Sequence, residues 1–344
     1  MVSSFYRCLE IDGGGLLGGF GAISDTTVKA DVLVKVGDQA ELLISGDRDL
    51  PGLARLKAYA DYDLHDETKI STGALIQATQ TESRIDVSSS VAKVQVGKGV
   101  TIDSVGDIEL AALTDATIHS KANIKTYGLA SGVGGITRSK LDADNIVELL
   151  TSNSTTGDTD LRSDGHVFLT AGTTADGIDG VFDINATADA YNKSAIPASG
   201  LSSQGELVLD NQIKVGTNNT VRSVKDVHLL TDVGKRDLKG YWIHKYYGTK
   251  SEGGHFSESG DSALTVNGEL EAGINHYQEL HVRGDYVIPS DSSADPANLP
   301  LNDQIVTQTD GIGYRFGTAN IGQDLAARLT ELDSLIGEYS GLAE

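Results

Sequence analysis

The sequence predicts an all-β fold, a parallel β-solenoid over residues 1–288, followed by a linker and a short C-terminal α-helix. Three observations carry that expectation. The 344 residues include 40 glycines and five prolines, and aromatic residues make up only 6%. The apolar residues are mainly Val, Ile, Leu and Ala in short runs, which suit a pleated, half-buried surface better than a Leu- and Phe-rich globular core. Those runs alternate with period two: Val32, Val34 and Val36; Val94 and Val96; Val100 and Ile102; Ile108 and Leu110. Gly, Asp, Asn or Ser bounds each run, which reads as many short strands joined by turns.

The third observation is self-similarity at about sixty residues. VKVGDQAELLISGDRDL (34–50), VQVGKGVTIDSVGDIEL (94–110) and IKVGTNNTVRSVKDVHL (213–229) share an apolar-x-Val-Gly start, with Asp ten residues after that Gly and Leu three later. Gly37, Gly97 and Gly216 stand 60 and 119 residues apart. A middle copy is therefore expected near position 157, where LLTSNSTTGDTDLRSDGHVFL carries Gly157 and ends in His166-Val167-Phe168-Leu169. A second block repeats as KTYGLASGVGG (125–135) and KYYGTKSEGGHF (245–256).

The opening LEIDGGGLLGGFGAISD (9–25) contains Gly13-x-Gly15-x-x-Gly18, the spacing of a dinucleotide-binding loop. That loop needs a strand-to-helix turn and an acidic residue about 20 positions on. Here GFGAISDTTVKAD (19–31) lies on GVGGITRSKLDAD (132–144), and the residues after the glycines are β-branched, so the glycines read as recurring structural positions. Each repeat offers only a narrow apolar face, buried by stacking on a neighbour. At about three coils per sixty residues, some 14 coils of about 4.8 Å would make a rod of roughly 65–70 Å. PSDSSADPANLPLNDQ (289–304) holds three of the five prolines and reads as a linker. Residues 305–344 read as a short strand segment and an amphipathic helix with Leu325, Leu329, Leu332, Ile336 and Tyr339 along one side. That helix is expected to cap the stack or to pair with another chain.

The repeats resemble the filamentous-haemagglutinin-like exoproteins of bacteria, long repetitive β-helical adhesins. The resemblance rests on VGKGVTIDSVGDIELAALTDATIHSKANIKTYGLASGVGG (96–135), LTVNGELEAGINHYQELHVRGDY (264–286), QTDGIGYRFG and the LAARLTELDSLIGEYSG helix. It implies a right-handed parallel β-helix and an extracellular or cell-surface structural role, as a self-associating fibre or a segment of a larger adhesin. The open ends of the solenoid make the protein itself the expected partner, as a homo-oligomer or filament joined end to end, and the resemblance adds an unidentified surface or glycan receptor. The resemblance brings no catalytic residues.

Chemistry is sparse. With 27 basic against 49 acidic residues the net charge is −22, which disfavours nucleic acid and anionic membrane as partners. No apolar run reaches the roughly 18 residues of a spanning helix, and MVSSFYRCLEIDGG is not expected to act as an export leader. Cys8 is the single cysteine. Asp158, Asp160 and Asp164 in TGDTDLRSDG, and Asp61, Asp63, Asp66 and Glu67 in ADYDLHDE, are candidates for weak Ca2+ binding, but neither has EF-hand spacing. His276 and His281 are five apart and fall on opposite faces of a strand. Arg283-Gly284-Asp285 reads as one more Gly-Asp turn, like Gly46-Asp47 and Gly106-Asp107, with Asp bonding its own following backbone. Asn153, Asn185, Asn192 and Asn218 head N-x-S/T triplets of the kind a chain this rich in Asn, Ser and Thr contains by chance. No catalytic, cofactor or metal residue is assigned, and the chain is expected not to be an enzyme. The alternative is a β-helical polysaccharide lyase or hydrolase, or a tailspike-like depolymerase, with acidic or basic groups gathered from distant coils.

Overall fold

A computed structural model describes residues 2–46, 52–246 and 249–272, together with the backbone of three short strands beyond them. All described elements are strands, turns or bends, and no helix occurs among the described residues. The expected linker and C-terminal helix lie outside the described residues. So do His276, Gly284 and Asp285.

The strands are far longer than the sequence suggests. In chain order they are β1 (Val2–Val36), β2 (Glu41–Ile44), β3 (Ala54–Val96), β4 (Thr101–Ser104), β5 (Ile108–Leu149), β6 (Thr159–Ser163), β7 (Val167–Ala171) and β8 (Val181–Val215). Next come β9 (Asn219–Ser223), β10 (Val227–Thr231), β11 (Lys235–Tyr246), β12 (Thr249–Gly253), β13 (His255–Ser259), β14 (Ser262–Val266) and β15 (Glu269–Ala272). The last three are β16 (Glu279–Arg283), β17 (Ile305–Thr307) and β18 (Ile312–Phe316). Gly and Asp run through the long strands, because ladder bonds come from backbone on either side and need no particular side chain.

Pairing is almost wholly parallel. β1, β3, β5 and β8 lie side by side in that order, and β11, β13 and β14 cover three stretches of β8. β2, β4, β6, β9 and β15 form a second, five-stranded sheet. One column runs Val36, Val96, Leu149, Val215, Val266. The chain meets itself once per lap: 49 residues separate Thr220 from its partner Glu269, and 66 separate Ala116 from Phe182. One sequence repeat is therefore one lap, not three coils. Five stacked layers span roughly 20 Å, not 65–70 Å.

The corners agree with the repeats in part. Gly97 N–H donates to the Val36 carbonyl, Leu150 to Val96, Gly216 to Leu149 and Asn267 to Val215, at 2.8–3.0 Å. Gly37, Gly97 and Gly216 thus occupy equivalent corners. Two residues further on, Gln39, Gly99 and Asn218 all take left-handed φ, at 58°, 64° and 56°. The middle copy is displaced: the counterpart of Gly97 is Leu150, not Gly157. Six extra residues enter before β6, since Val96 pairs 53 residues on with Leu149 but Thr101 pairs 59 on with Asp160. The glycine-rich block also aligns as expected. Gly19, Ala78 and Gly132 share a column, as do Ser24, Ser83 and Thr137.

The spacing Gly13-x-Gly15-x-x-Gly18 lies inside β1, in extended backbone. A β-carbon at Gly13 or Gly18 would strike the Phe20 ring, so these glycines clear a slot for an aromatic side chain.

Each long strand doubles back about its middle, and its two limbs meet through side chains. Across β3, Tyr62 donates to Ser90 at 2.7 Å, Thr81 to Thr68 at 2.7 Å, and Thr72 meets Thr79 at 3.1 Å. Across β5, Thr114 donates to Asn145 at 2.8 Å and Ser139 to Ser120 at 3.0 Å. The interior is apolar near the five-stranded sheet, around Val96, Val100, Ile102, Ile108, Leu110, Leu149 and Leu161. Towards the bend it becomes a zone of buried hydroxyls and amides: Thr68, Thr72, Thr81, Ser83, Ser139, Asn192 and Ser194.

Asp66 is the most committed group there. It is buried, accepts from Ser24 at 2.5 Å and Ser83 at 2.7 Å, and pairs with Arg7 Nε at 3.0 Å. Asp66→Ala strands the Ser24 hydroxyl and the Arg7 guanidinium and leaves Ser83 only the Asp66 carbonyl at 3.0 Å; it is expected to cost about 2–3 kcal/mol, read as a lowered urea midpoint with unchanged slope.

Acid should also loosen the stack. Burial alone would raise the carboxyls of Glu67, Glu148 and Glu206, but basic and amide neighbours hold all three below the usual 4.5: Lys69 and Lys121, Lys93 and Gln95, Arg138 and Lys140. A depressed carboxylate contributes stability above its unfolded value, and that stability is lost as the pH falls through the folded value. The urea midpoint is expected to drop below about pH 4.5. The combined change of all three to Gln should lower it at neutral pH and flatten its acid limb.

Candidate functional site: a histidine-carboxylate corner

Aspartates bridge laps, two of them between strands (Asp38, Asp107) and two within strands (Asp115 in β5, Asp210 in β8). Asp38 Oδ1 accepts from Lys98 N–H at 3.0 Å, and Asp107 Oδ1 from His166 N–H at 2.8 Å. Asp115 Oδ1 accepts from Val181 N–H, and Asp210 Oδ1 from Asp261 N–H, both at 2.8 Å. The partner lies 51–66 residues away, on the next lap, where the sequence suggests a local bond to the following backbone. Where the next lap starts a strand or turns, the ladder lapses, and a carboxylate supplies the missing acceptor.

One corner gathers more. β5, β7 and β10 set Glu109, Phe168 and His228 in one column, and β16 places the backbone of His281 opposite His228. Two positions earlier stand Asp107, His166 and Asp226. The imidazoles of His166 and His228 and the carboxylate of Asp226 present ligand atoms all within 4.8 Å of one another, half-buried. His166 Nδ1 lies 3.4 Å from Asp226 Oδ2, and 3.4 Å from the Asp226 backbone N–H. The His228 ring stacks on Phe168, with centroids 4.6 Å apart and planes 9° from parallel. This is the sole group of three or more His, Cys, Asp or Glu with metal-ligand proximity among the described residues.

Nothing in the sequence analysis assigns a residue here, yet the signal is present. GHVFL and KDVHL occupy equivalent places in successive repeats, so His166 falls beside Asp226 and Phe168 beside His228. Comparing histidines along the chain misses a contact that runs across laps.

Of the acidic groups that are candidates for weak Ca2+ binding, Asp160, Asp63, Asp66 and Glu67 are engaged by other groups. Asp160 pairs with Arg162 at 2.6 Å and with Arg222 at 4.0 Å, and Asp158 and Asp164 do not join it in a cluster. Asp63 faces His65 at 2.8 Å, Asp66 points inward, and Glu67 takes Lys69 and Lys121. Burial, then Asp115 and Asp63, raises the Asp61 carboxyl above its usual value. A similar column pairs His119 with Asp183 at 2.9 Å, and the His65 and His119 rings meet edge to face at 4.8 Å. Of the N-x-S/T asparagines, Asn192 is fully buried and its Oδ1 accepts from Ser131 and Ser194. Cys8 is exposed.

Two recesses mark the long limbs. One of about 590 Å³ lies along the bend, lined by Phe20, Ala78, Val133 and Ala198 among others. The other, of about 270 Å³, mixes charges from Glu10, Asp12, Lys69 and Lys125.

No family model matches the chain, and searches of curated proteins and of solved structures found no match either. No helix among the described residues is long and apolar enough to cross a membrane.

Asp107→Ala removes the acceptor for His166 N–H and is expected to cost about 1–3 kcal/mol. Asp107→Asn, which keeps a carbonyl acceptor, should recover most of that in the same urea titration.

Proposed function

We propose that this chain is a structural protein, a right-handed parallel β-solenoid that associates with copies of itself through an open edge of its ladder. One observation carries the reading: among the described residues nothing pairs with the outer edge of β1, a strand of 35 residues without a proline. Its acidic residues (Glu10, Asp12, Asp25, Asp31) nearly balance its basic ones (Arg7, Lys29, Lys35), unlike the chain as a whole. Tyr6, Leu16, Leu17, Ile23 and Leu33 are exposed along it. A long, near-neutral edge with apolar side chains is a template for strand addition unless something blunts it.

The opposite side of the stack is blunted. β11, β13 and β14 cover β8 only in pieces, Pro197 stands in the stretch of β8 between them, and β12 turns back antiparallel on β11. Proline without its N–H fits an edge and discourages further pairing. Association is therefore one-sided, through β1 of two copies. The resemblance to haemagglutinin-like exoproteins supports placing such an assembly at a cell surface or outside the cell, in a structural or adhesive role.

Light scattering on the purified chain is expected to show dimers. Leu17→Lys with Ile23→Lys adds two charges to exposed β1 positions and should shift the population towards monomer without changing the far-ultraviolet circular dichroism. A wild-type protein that stays monomeric at high concentration would rule out the β1 interface.

A further inference from the structure

We propose that His166, Asp226 and His228 form a binding site for a divalent first-row transition metal ion of the zinc type, bridging two successive laps. The three side chains already converge, with every ligand atom within 4.8 Å of the others. The 3.4 Å between His166 Nδ1 and Asp226 Oδ2 is longer than the 2.7–3.2 Å usual for an N–H···O bond. It matches the edge of a tetrahedron around an ion with ligands at about 2.0–2.1 Å, which is about 3.3–3.4 Å.

The neighbours of His166 Nδ1 point the same way. His166 Nδ1 faces the Asp226 backbone N–H, which donates to a lone pair, and also the Asp226 carboxylate, which accepts. One neighbour is a donor and the other an acceptor, so no single hydrogen bond from Nδ1 serves both. A cation between ring and carboxylate satisfies the lone pair and the carboxylate together.

The ligands are held by the fold rather than by their own flexibility. Asp107 fixes the His166 backbone at 2.8 Å, and the Phe168 ring sets the plane of His228. Two imidazoles and one carboxylate select zinc, cobalt or nickel over calcium and magnesium, which take oxygen ligands. Three protein ligands leave a coordination position for water. His166 precedes β7, whereas Asp226 and His228 flank the start of β10, so the ion ties one lap to the next across about sixty residues of chain. Binding free energy then becomes stability of the later laps.

The test uses the full chain, stripped with a chelator and titrated with Zn2+ by calorimetry, and with Co2+ read by its visible d–d absorption. One ion per chain is expected, with a rise in melting temperature on loading. His166→Asn, and separately His228→Phe, should each weaken Zn2+ binding by more than the roughly 10–100-fold that loss of an outer-shell partner costs. His228→Phe is the second variant because Phe168 already occupies the preceding place in that column, so the substitution is compatible with the stack. His65→Ala with His119→Ala, which removes the other histidine column, should leave affinity unchanged. Absence of Zn2+ uptake by the wild-type protein would overturn the proposal. So would equal uptake by His166→Asn and His228→Phe variants whose circular dichroism and metal-free melting match the parent. Loss of uptake confined to the His65/His119 variant would likewise overturn it. Because the readouts are stoichiometry and melting of a single chain, failure here is distinct from failure of β1-mediated association.

Discussion

The parallel backbone ladder between successive laps is the constraint on which the rest of the structure depends. β3, β5 and β8 each hydrogen-bond to a strand about one lap earlier and to one or more strands one lap later, almost without slip, whereas β1 pairs on one side only. Register shifts occur near Val28 in β1 and between Val87 and Ser90 in β3. A parallel pair placed in register stacks each side chain on its counterparts, so every position must suit the residues directly above and below it. Apolar columns such as Val36–Val96–Leu149–Val215 keep water out of one end. Hydroxyl columns such as Ser24–Ser83–Thr137–Ser203 run through the other, and Thr137 donates to Ser203 at 2.8 Å.

That grading explains the composition. The limbs of β3 and β5 face each other closely enough for Thr, Ser and Asn to bridge directly, which leaves little room for Phe or Trp between them. A buried hydroxyl without a partner is costly, and one bonded across the limbs is not. Small polar residues therefore serve as core here. Asn145 donating to Asn211 at 2.9 Å shows an amide doing along the stack what Val does elsewhere by contact. The surface columns obey the same logic with charge: Glu148 sits between basic and amide groups of the preceding lap, and Glu206 likewise meets Arg138 and Lys140. The two edges differ because only one is interrupted by a proline and a reversed strand.

Much of this is legible from self-comparison. The repeat blocks around Gly37, Gly97 and Gly216 do occupy equivalent corners, and the stretch beginning at Gly19 does share columns with the stretch beginning at Gly132. The lap length is misjudged when Gly and Asp are read as ends of short strands. In this fold they sit within strands of up to 43 residues, held by neighbours the local sequence does not name. Gly157 imitates a corner because it keeps the period of sixty, whereas an insertion moves the true corner to Leu150.

The β character of the described residues, the repeat and the structural reading of Gly13, Gly15 and Gly18 were determined by the sequence alone, since alternation and periodicity are properties of consecutive residues. Only the tertiary structure decided which residues touch across laps: Asp66 with Arg7, Asp107 with the His166 backbone, and His166 with Asp226 and His228. Those contacts depend on register, and register is set by the summed pairing of whole laps, insertions included, so no single segment contains it.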